Sequence, residues 1–351
     1  MPSISDTSLA IPKGSTILVT GVNGFIGSHV ANEFLERGYI VRGTARNVSK
    51  AAWIKHLFEQ QYGQHKFALW PVADLTSPDA FDEVMKGVSA VVHVASPLGL
   101  DSGTETMIPD AVASALNALS AANKQPSVKR FVYTSSSTAA VFPEPEVSGV
   151  VITKDTWNDK ALSIMRSSSS APEWYVAYAA SKVEAERAVW DFYHNNATRR
   201  SDLVVNTVLP STNFGKSLDP INQGYPSTSS FIQTLWNGTS LELLKNASPQ
   251  YFIDVQDDAK LHVAGTLLTD VQGERIFPWA ETWNLDQILV ILREQNSNRN
   301  FVKNFQSMQY LADVEKPRLR AIQLLQALGE RGFISLEESI RLNSEHFASA
   351  A

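Results

Sequence analysis

Ser15-Thr16-Ile17-Leu18-Val19-Thr20-Gly21-Val22-Asn23-Gly24-Phe25-Ile26-Gly27 decides the fold. A β-branched apolar run, STILVT, ends on three glycines spaced three apart. The chain then turns helical as far as Arg37, with Phe25, Ile26, Val30, Phe34 and Leu35 on one stripe. Each glycine has a physical task in such a turn. Gly21 permits the tight bend, Gly24 lets backbone approach a pyrophosphate, and Gly27 lets helix and strand pack closely. The helix start, with Asn23, Phe25 and Ile26 around it, offers free N–H groups and a partial positive charge to that anion. A glycine turn without a ligand is the alternative, and the order strand, turn, helix speaks against it.

Outward from this stretch, short apolar strands alternate with helical patterns. Strands are expected at Tyr39 to Thr44, Phe67 to Val72, Ala90 to Val94, Arg130 to Thr134 and Leu203 to Leu209. Helical periodicity starts near Ser49 and again runs from about Glu105 to Asn123. Continuous apolar strands between helices imply a parallel sheet covered on both faces, the Rossmann-type doubly wound α/β fold. After Pro210 the pattern changes. Residues 211–250 are rich in Ser, Thr, Asn, Pro and Gly, and helical stripes return near 257–268, 285–293, 317–328 and 336–342. The expected organisation is a cofactor-binding domain over 1–210 with a return segment near 251–270. A smaller, mostly helical substrate-binding part is expected from 211–250 and 271–351. The stretch from Ser137 to Glu173 is long for a loop, so it is functional or holds unrecognised helix.

Composition narrows the function. The chain has 351 residues, 30 basic and 36 acidic, for a net charge of −6, which speaks against nucleic acid and a polybasic membrane anchor as partners. No run approaches the roughly 18 apolar residues of a membrane span. Cysteine is absent, which removes disulfides, thiol nucleophiles and thiolate metal sites together. The seven His are scattered without ligand spacing, and no metal is expected. The start has neither a basic region nor a long apolar stretch, so the expectation is a cytoplasmic protein, monomer or homodimer.

An NAD site wants an acid about 20 residues beyond the glycines, for the ribose 2′-hydroxyl. Here Val41-Arg42-Gly43-Thr44-Ala45-Arg46 stands there, and no acidic residue occurs from Arg37 through Phe58. Arg46, with Lys50 four residues on, suits a 2′-phosphate and hence NADPH. Lys55 reads as solvated helix surface. Asp74-Leu75 after the third strand flanks the adenine, caps the next helix, or does both.

Tyr178-Ala179-Ala180-Ser181-Lys182 puts a phenol and an ammonium on one helix face. A second pair at that spacing, Tyr62 and Lys66, lies far from any strand's C-terminal end and reads as coincidence. Tyr178 begins the helix after the fifth strand, at the mouth where such sheets bind ligands. Ser135, Ser136 and Ser137 follow Thr134 at the end of that strand. Alone they would be turn chemistry; beside Tyr178 and Lys182 one of them reads as functional. His93, inside an apolar strand, reads as packed core. Trp174 and Val176 form an apolar wall for the substrate or pack the helix start.

Together Thr20 to Gly27, Tyr133-Thr134-Ser135-Ser136, Tyr178 to Lys182 and Leu209-Pro210 resemble the extended short-chain dehydrogenase/reductase family. Val41 to Arg46, Val92-His93-Val94-Ala95-Ser96 and Ser335-Leu336-Glu337-Glu338-Ser339-Ile340 resemble its fungal aldehyde and carbonyl reductases, near plant dihydroflavonol reductases. The resemblance covers nearly the whole chain. It implies Ser136, Tyr178 and Lys182 as the catalytic residues of an NADPH-dependent reduction of an aldehyde or ketone, with Ser136 and Tyr178 also touching substrate. It implies cofactor contacts at Ala95, Ser96, Thr134, Tyr178, Lys182, Pro210, Thr212 and Asn213. The Asn that completes a proton relay in many relatives is replaced here by Ala111, with Asn117 too far along. Rival readings are a hydroxysteroid or secondary-alcohol dehydrogenase, a nucleotide-sugar-modifying enzyme, and an NADP-sensing regulator without turnover.

Overall fold

A computed structural model describes residues 9–97, 103–167, 173–244 and 247–349. Its centre is a seven-stranded, all-parallel sheet. The strands are β1 Thr16–Thr20, β2 Ile40–Ala45, β3 Phe67–Pro71, β4 Ala90–His93, β5 Arg130–Thr134, β6 Val204–Val208 and β9 Arg275–Ile276, in spatial order β3-β2-β1-β4-β5-β6-β9. The order reverses between β1 and β4, so their C-terminal ends open the crevice in which such sheets bind ligands.

The strand runs are apolar on both sides because helices cover both faces. One layer holds α1 (Phe25–Glu36), α2 (Ala52–Tyr62), α8 (Val255–Leu267) and α10 (Glu315–Ala327), with Val30, Phe34, Phe58, Leu261 and Leu324 in its core. The other holds α3 (Asp82–Met85), α4 (Met107–Lys124) and α6 (Trp174–Asn195), built on Met85, Ala115, Leu119, Ala185 and Val189. Small residues on α4 let it lie close along α6.

The stretch 137–173 is not a bare loop. A 3-10 turn covers Ser137–Ala139, Val151 bridges to Asp313, and α5 spans Asp159–Ser167. Beyond Pro210 the chain adds a second sheet, β10-β8-β7, from β7 Thr212–Phe214, β8 Gln250–Asp254 and β10 Glu281–Trp283. The helices α7 (Ser230–Asn237), α9 (Leu285–Gln295) and α11 (Leu336–Ser349) pack on it around Phe214, Trp283 and Ile340. Three connections join the two sheets: β6 to β7, β8 into α8, and β9 to β10. Among the described residues no helix is long and apolar enough to cross a membrane.

Candidate active site

The glycine loop sits at the crevice between β1 and β4. Gly21 has φ +67°, the left-handed region that favours glycine, and a Cβ there would stand 3.2 Å from Ala95. A Cβ on Gly27 would lie 2.3 Å from the Gly21 carbonyl oxygen, so helix and turn meet with no room for a side chain. Thr20 anchors the neighbouring loop. Its hydroxyl oxygen accepts the N–H groups of Val94 (3.0 Å) and Ala95 (2.9 Å). With both lone pairs taken, Thr20 donates to His93 Nδ1 at 3.0 Å, which leaves the imidazole proton on Nε2 to reach Ser114 at 3.2 Å. Burial holds His93 neutral, at a pKa of about 3. His93 is therefore the packed residue expected, but it also ties β1, β4 and α4 together.

The basic segment separates into distinct roles. Arg37 pairs with Glu33 on α1, and Lys55 with Glu59 at 3.7 Å. Arg42 lies under the sheet edge, donating to the carbonyls of Val84 and Lys86 with its guanidinium over Trp70. Arg46 and Lys50 remain on the exposed turn that follows β2. Asp74 does not cap the next helix, which begins only at Asp82. Its carboxylate accepts from Thr76 N, Thr76 Oγ1 and Ser77 Oγ and closes a local turn. Those bonds, and more weakly the charge of Arg46, hold its pKa below the usual carboxylate range. Asn117, too far along for a relay, donates to the carbonyls of Leu75, Thr76 and Ser77 and fixes that turn.

Helix α6 carries a stripe at four-residue spacing: Trp174, Tyr178, Lys182, Glu186, Trp190. Trp174, 41% exposed, stacks on the Tyr178 ring at 5.2 Å and 7°. Lys182 Nζ lies 5.8 Å from the same ring, donating to Ser96 Oγ (3.3 Å) and the Thr134 carbonyl (3.5 Å). The phenol thus has an indole on one side and an ammonium on the other. Ser136 accepts from Thr138 N and Thr138 Oγ1, so its own proton is free to donate. It bonds to the Tyr178 oxygen, which favours phenolate, although burial pushes this phenol up overall. Burial brings Lys182 down to about 8, and the carboxylate of Glu186 opposes that fall.

The structure therefore brings Gly21, Gly24, Gly27, Ala95, Ser96, Thr134, Ser136, Tyr178 and Lys182 to one crevice. The Thr134 hydroxyl itself is engaged with His262 Nε2 at 2.8 Å. Pro210 ends β6; Thr212 and Asn213 begin β7, both buried. Asn213 Oδ1 is a buried acceptor with no hydrogen-bond partner among the described residues, and its chemistry fits an amide donor of a ligand. Val176 is half-buried, two residues after Trp174 and so on a different side of α6.

Several site residues carry no signal in the sequence. A small recess beside Ser137, with room for little more than a water molecule, is lined by Ser211, Tyr251, Trp279 and Tyr310, from four separate segments. Asn158 donates to the Thr138 carbonyl and holds the turn after Ser136. Gln223 reaches Gly24 O (3.2 Å) and Ser28 Oγ (2.9 Å), laying residues from the second part against the glycine loop. Glu186 lies on the stripe that Tyr178 and Lys182 mark, yet nothing in its local sequence announces a role.

Sheet order, glycine turn and the Tyr–Lys helix together define a nucleotide-binding α/β protein, and comparison with known proteins names the group. The model of the NAD dependent epimerase/dehydratase family matches residues 17–275, and the chain belongs to that family, the extended short-chain dehydrogenase/reductases. It is 36% identical over 336 residues to aldehyde reductase 2 of Sporidiobolus salmonicolor, covering 94% of this chain and 95% of that protein. It is 34% identical to ketoreductase adrE of Penicillium rubens, covering 94% and 96%. Gre2 of Candida albicans, solved in complex with NADPH, superposes with a TM-score of 0.81 at 24% identity, covering 96% of this chain and 99% of that one.

Proposed function

We propose that this protein is an NADPH-dependent carbonyl reductase that converts an aldehyde or ketone into an alcohol. The observation that carries the reading is the Tyr178 phenol, held between Ser136 and Lys182 at the mouth of the sheet beside the glycine loop. The relatives named aldehyde reductase and ketoreductase, each covered over nearly its whole length, support it. When bound, NADPH supplies the hydride. The loop's geometry fits it: a turn that excludes a Cβ at Gly27 exposes N–H groups at the start of α1 to a diphosphate. The chain's own residues do the rest. Ser136 donates to the carbonyl oxygen and fixes its position. Tyr178 gives its proton to that oxygen as negative charge develops, and the Lys182 ammonium stabilises the phenolate left behind. Ala111 stands where a relay Asn would, so the proton returns to Tyr178 by another path, through Lys182 and Ser96.

The parts of the chain divide the work on this reading. Residues 1–210 and the return segment near 251–270 hold the cofactor, and 211–250 with 271–351 select the carbonyl compound. The recess lined by Tyr251, Trp279 and Tyr310 supplies an apolar wall in addition to Trp174 and Val176. Consumption of NADPH with a panel of aldehydes and ketones tests the activity. Tight NADPH binding without turnover of any carbonyl compound would favour the regulator reading instead.

The same site run in reverse would oxidise a secondary alcohol, and the cofactor ratio decides direction. A nucleotide-sugar epimerase on this fold is disfavoured by the absence of an acid from Arg37 through Phe58. Arg46 tests that point. Arg46→Ala should weaken NADPH by about 10- to 100-fold, the range of one or two charge-assisted hydrogen bonds, and NADH hardly at all. Dissociation constants for both cofactors, measured by nicotinamide fluorescence, check this; equal losses would remove Arg46 from the 2′-phosphate site.

A further inference from the structure

We propose that Glu186 is a positioning residue whose buried carboxylate sets the charge of Lys182 and holds the Ser135–Ser136 turn against the catalytic helix. The inference rests on the assignment of Tyr178 and Lys182 to proton transfer. Glu186 is 0% exposed, one helical turn beyond Lys182. A buried carboxylate is costly unless it is paired and hydrogen-bonded, and this one is. Its two oxygens accept from Ser135 Oγ (2.7 Å), Thr207 Oγ1 (2.9 Å), Trp190 Nε1 (3.2 Å), Arg275 Nε (2.8 Å) and Arg275 Nη2 (3.3 Å). Five donors and no acceptor fit the ionised form.

The network ties β5, β6, β9 and α6 at one point. Arg275 itself is held by the carbonyls of Lys154 and Thr156 and lies 3.9 Å over Trp157. The segment before α5 is thereby pinned to the catalytic helix. Ser135 is the direct neighbour of Ser136, so the bond from its hydroxyl to Glu186 holds the turn that carries Ser136 against α6.

Among the described residues, Glu186 is the carboxylate whose charge acts on Lys182. From α6 come Tyr178 and Glu186. From β5 come the Tyr133 ring at 5.9 Å and the Thr134 carbonyl, and from β4 and its following loop come neutral His93 and Ser96. α4 contributes alanines and Ser114 to the buried side. Arg187, next on α6, pairs outward with Asp159. Loss of the Glu186 charge would let the buried ammonium give up its proton at lower pH.

The test is the pH profile of Glu186→Gln, with Glu186→Met as a second neutral variant, since Arg275 keeps its two carbonyls and its indole in either. In the reduction direction the alkaline limb of kcat/KM should move down by about half a pH unit or more in both. Thr207→Val removes one bond to the same carboxylate but keeps its charge, and its limb should stay in place. Equal limbs in all three, with only melting temperature lowered, would overturn the proposal and leave Glu186 a structural residue. A second measurement does not depend on turnover. The Cε resonance of Lys182 in 13C-lysine protein, assigned by its loss in Lys182→Arg, should titrate at lower pH in the neutral variants than in wild type. An unchanged midpoint would likewise overturn the proposal. A wild-type chain that titrates as expected but reduces no carbonyl compound would refute the functional reading while leaving Glu186 as the determinant of the Lys182 charge.

Discussion

Replacing Tyr178 by Phe is expected to lower kcat by about 10³-fold while NADPH affinity stays within about threefold. The two halves of that result have separate causes. Phe keeps the ring that Trp174 covers at 5.2 Å, so the helix face and the Lys182 side chain keep their packing. What is lost is the phenol oxygen that meets the Ser136 hydroxyl, and with it the proton for the developing alkoxide. Burial raises the Tyr178 pKa, so the group is protonated at neutral pH and ready to donate. Lys182, at about 8, is mostly charged there and stabilises the phenolate after transfer. Reduction should therefore be sustained below about pH 8 and decline above it as Lys182 loses its charge. Steady-state rates with one aldehyde across pH 5 to 10 check both points. A Phe variant within about tenfold of wild type would end the proton-donor assignment.

Gly27→Ala is expected to reduce NADPH affinity by about 100-fold or to lower folding stability by about 3 kcal/mol, because the loop and helix cannot both keep their places. The added Cβ would meet the Gly21 carbonyl at 2.3 Å for oxygen and 2.8 Å for carbon. Both are backbone atoms, with no flexible end to swing away. Gly24→Ala is the internal control. Its Cβ would stand 3.3 Å from the same oxygen, a contact relieved by a shift of a few tenths of an ångström. In thermal melts the order of loss should be Gly27→Ala well ahead of Gly24→Ala, whereas cofactor titrations should register Gly24→Ala as well, because its backbone is read as meeting the pyrophosphate. The reverse order would mean that helix and turn separate more easily than the packing implies.

The glycine turn and the six long strand runs are legible in the sequence because their signals are local. A β-branched run that ends in glycine needs no knowledge of the rest of the chain. The second sheet is different. QYFID, TNF and ETW are three to five residues long and partly polar, too short for a period to declare itself. Only their pairing across the fold makes them strands. The same holds for the site. Tyr178 and Lys182 are four residues apart and announce each other. Glu186 reads as an ordinary charge on a helix until Arg275, 89 positions away, is found against it. Asp74 shows the converse. Its neighbourhood suggests a helix cap, but Thr76 and Ser77 offer closer hydroxyls, and α3 starts too late to compete. The recess beside Ser137 draws Tyr251, Trp279 and Tyr310 from three regions whose sequences give no hint that they meet.

The chain passes between the two sheets three times, at Leu209 to Thr212, at Asp254 to Val255 and from Ile276 to Glu281. The smaller part is thus one insertion and one tail rather than a module appended at a single joint. A single proteolytic cut at any of these crossings leaves two covalent ties in place, so nicked protein should stay assembled. Exchanging the part built on the second sheet with that of a relative would need three junctions chosen together, one of them inside the Asp254–Val255 step where strand passes into helix without an intervening residue. That part is better altered side chain by side chain than by grafting.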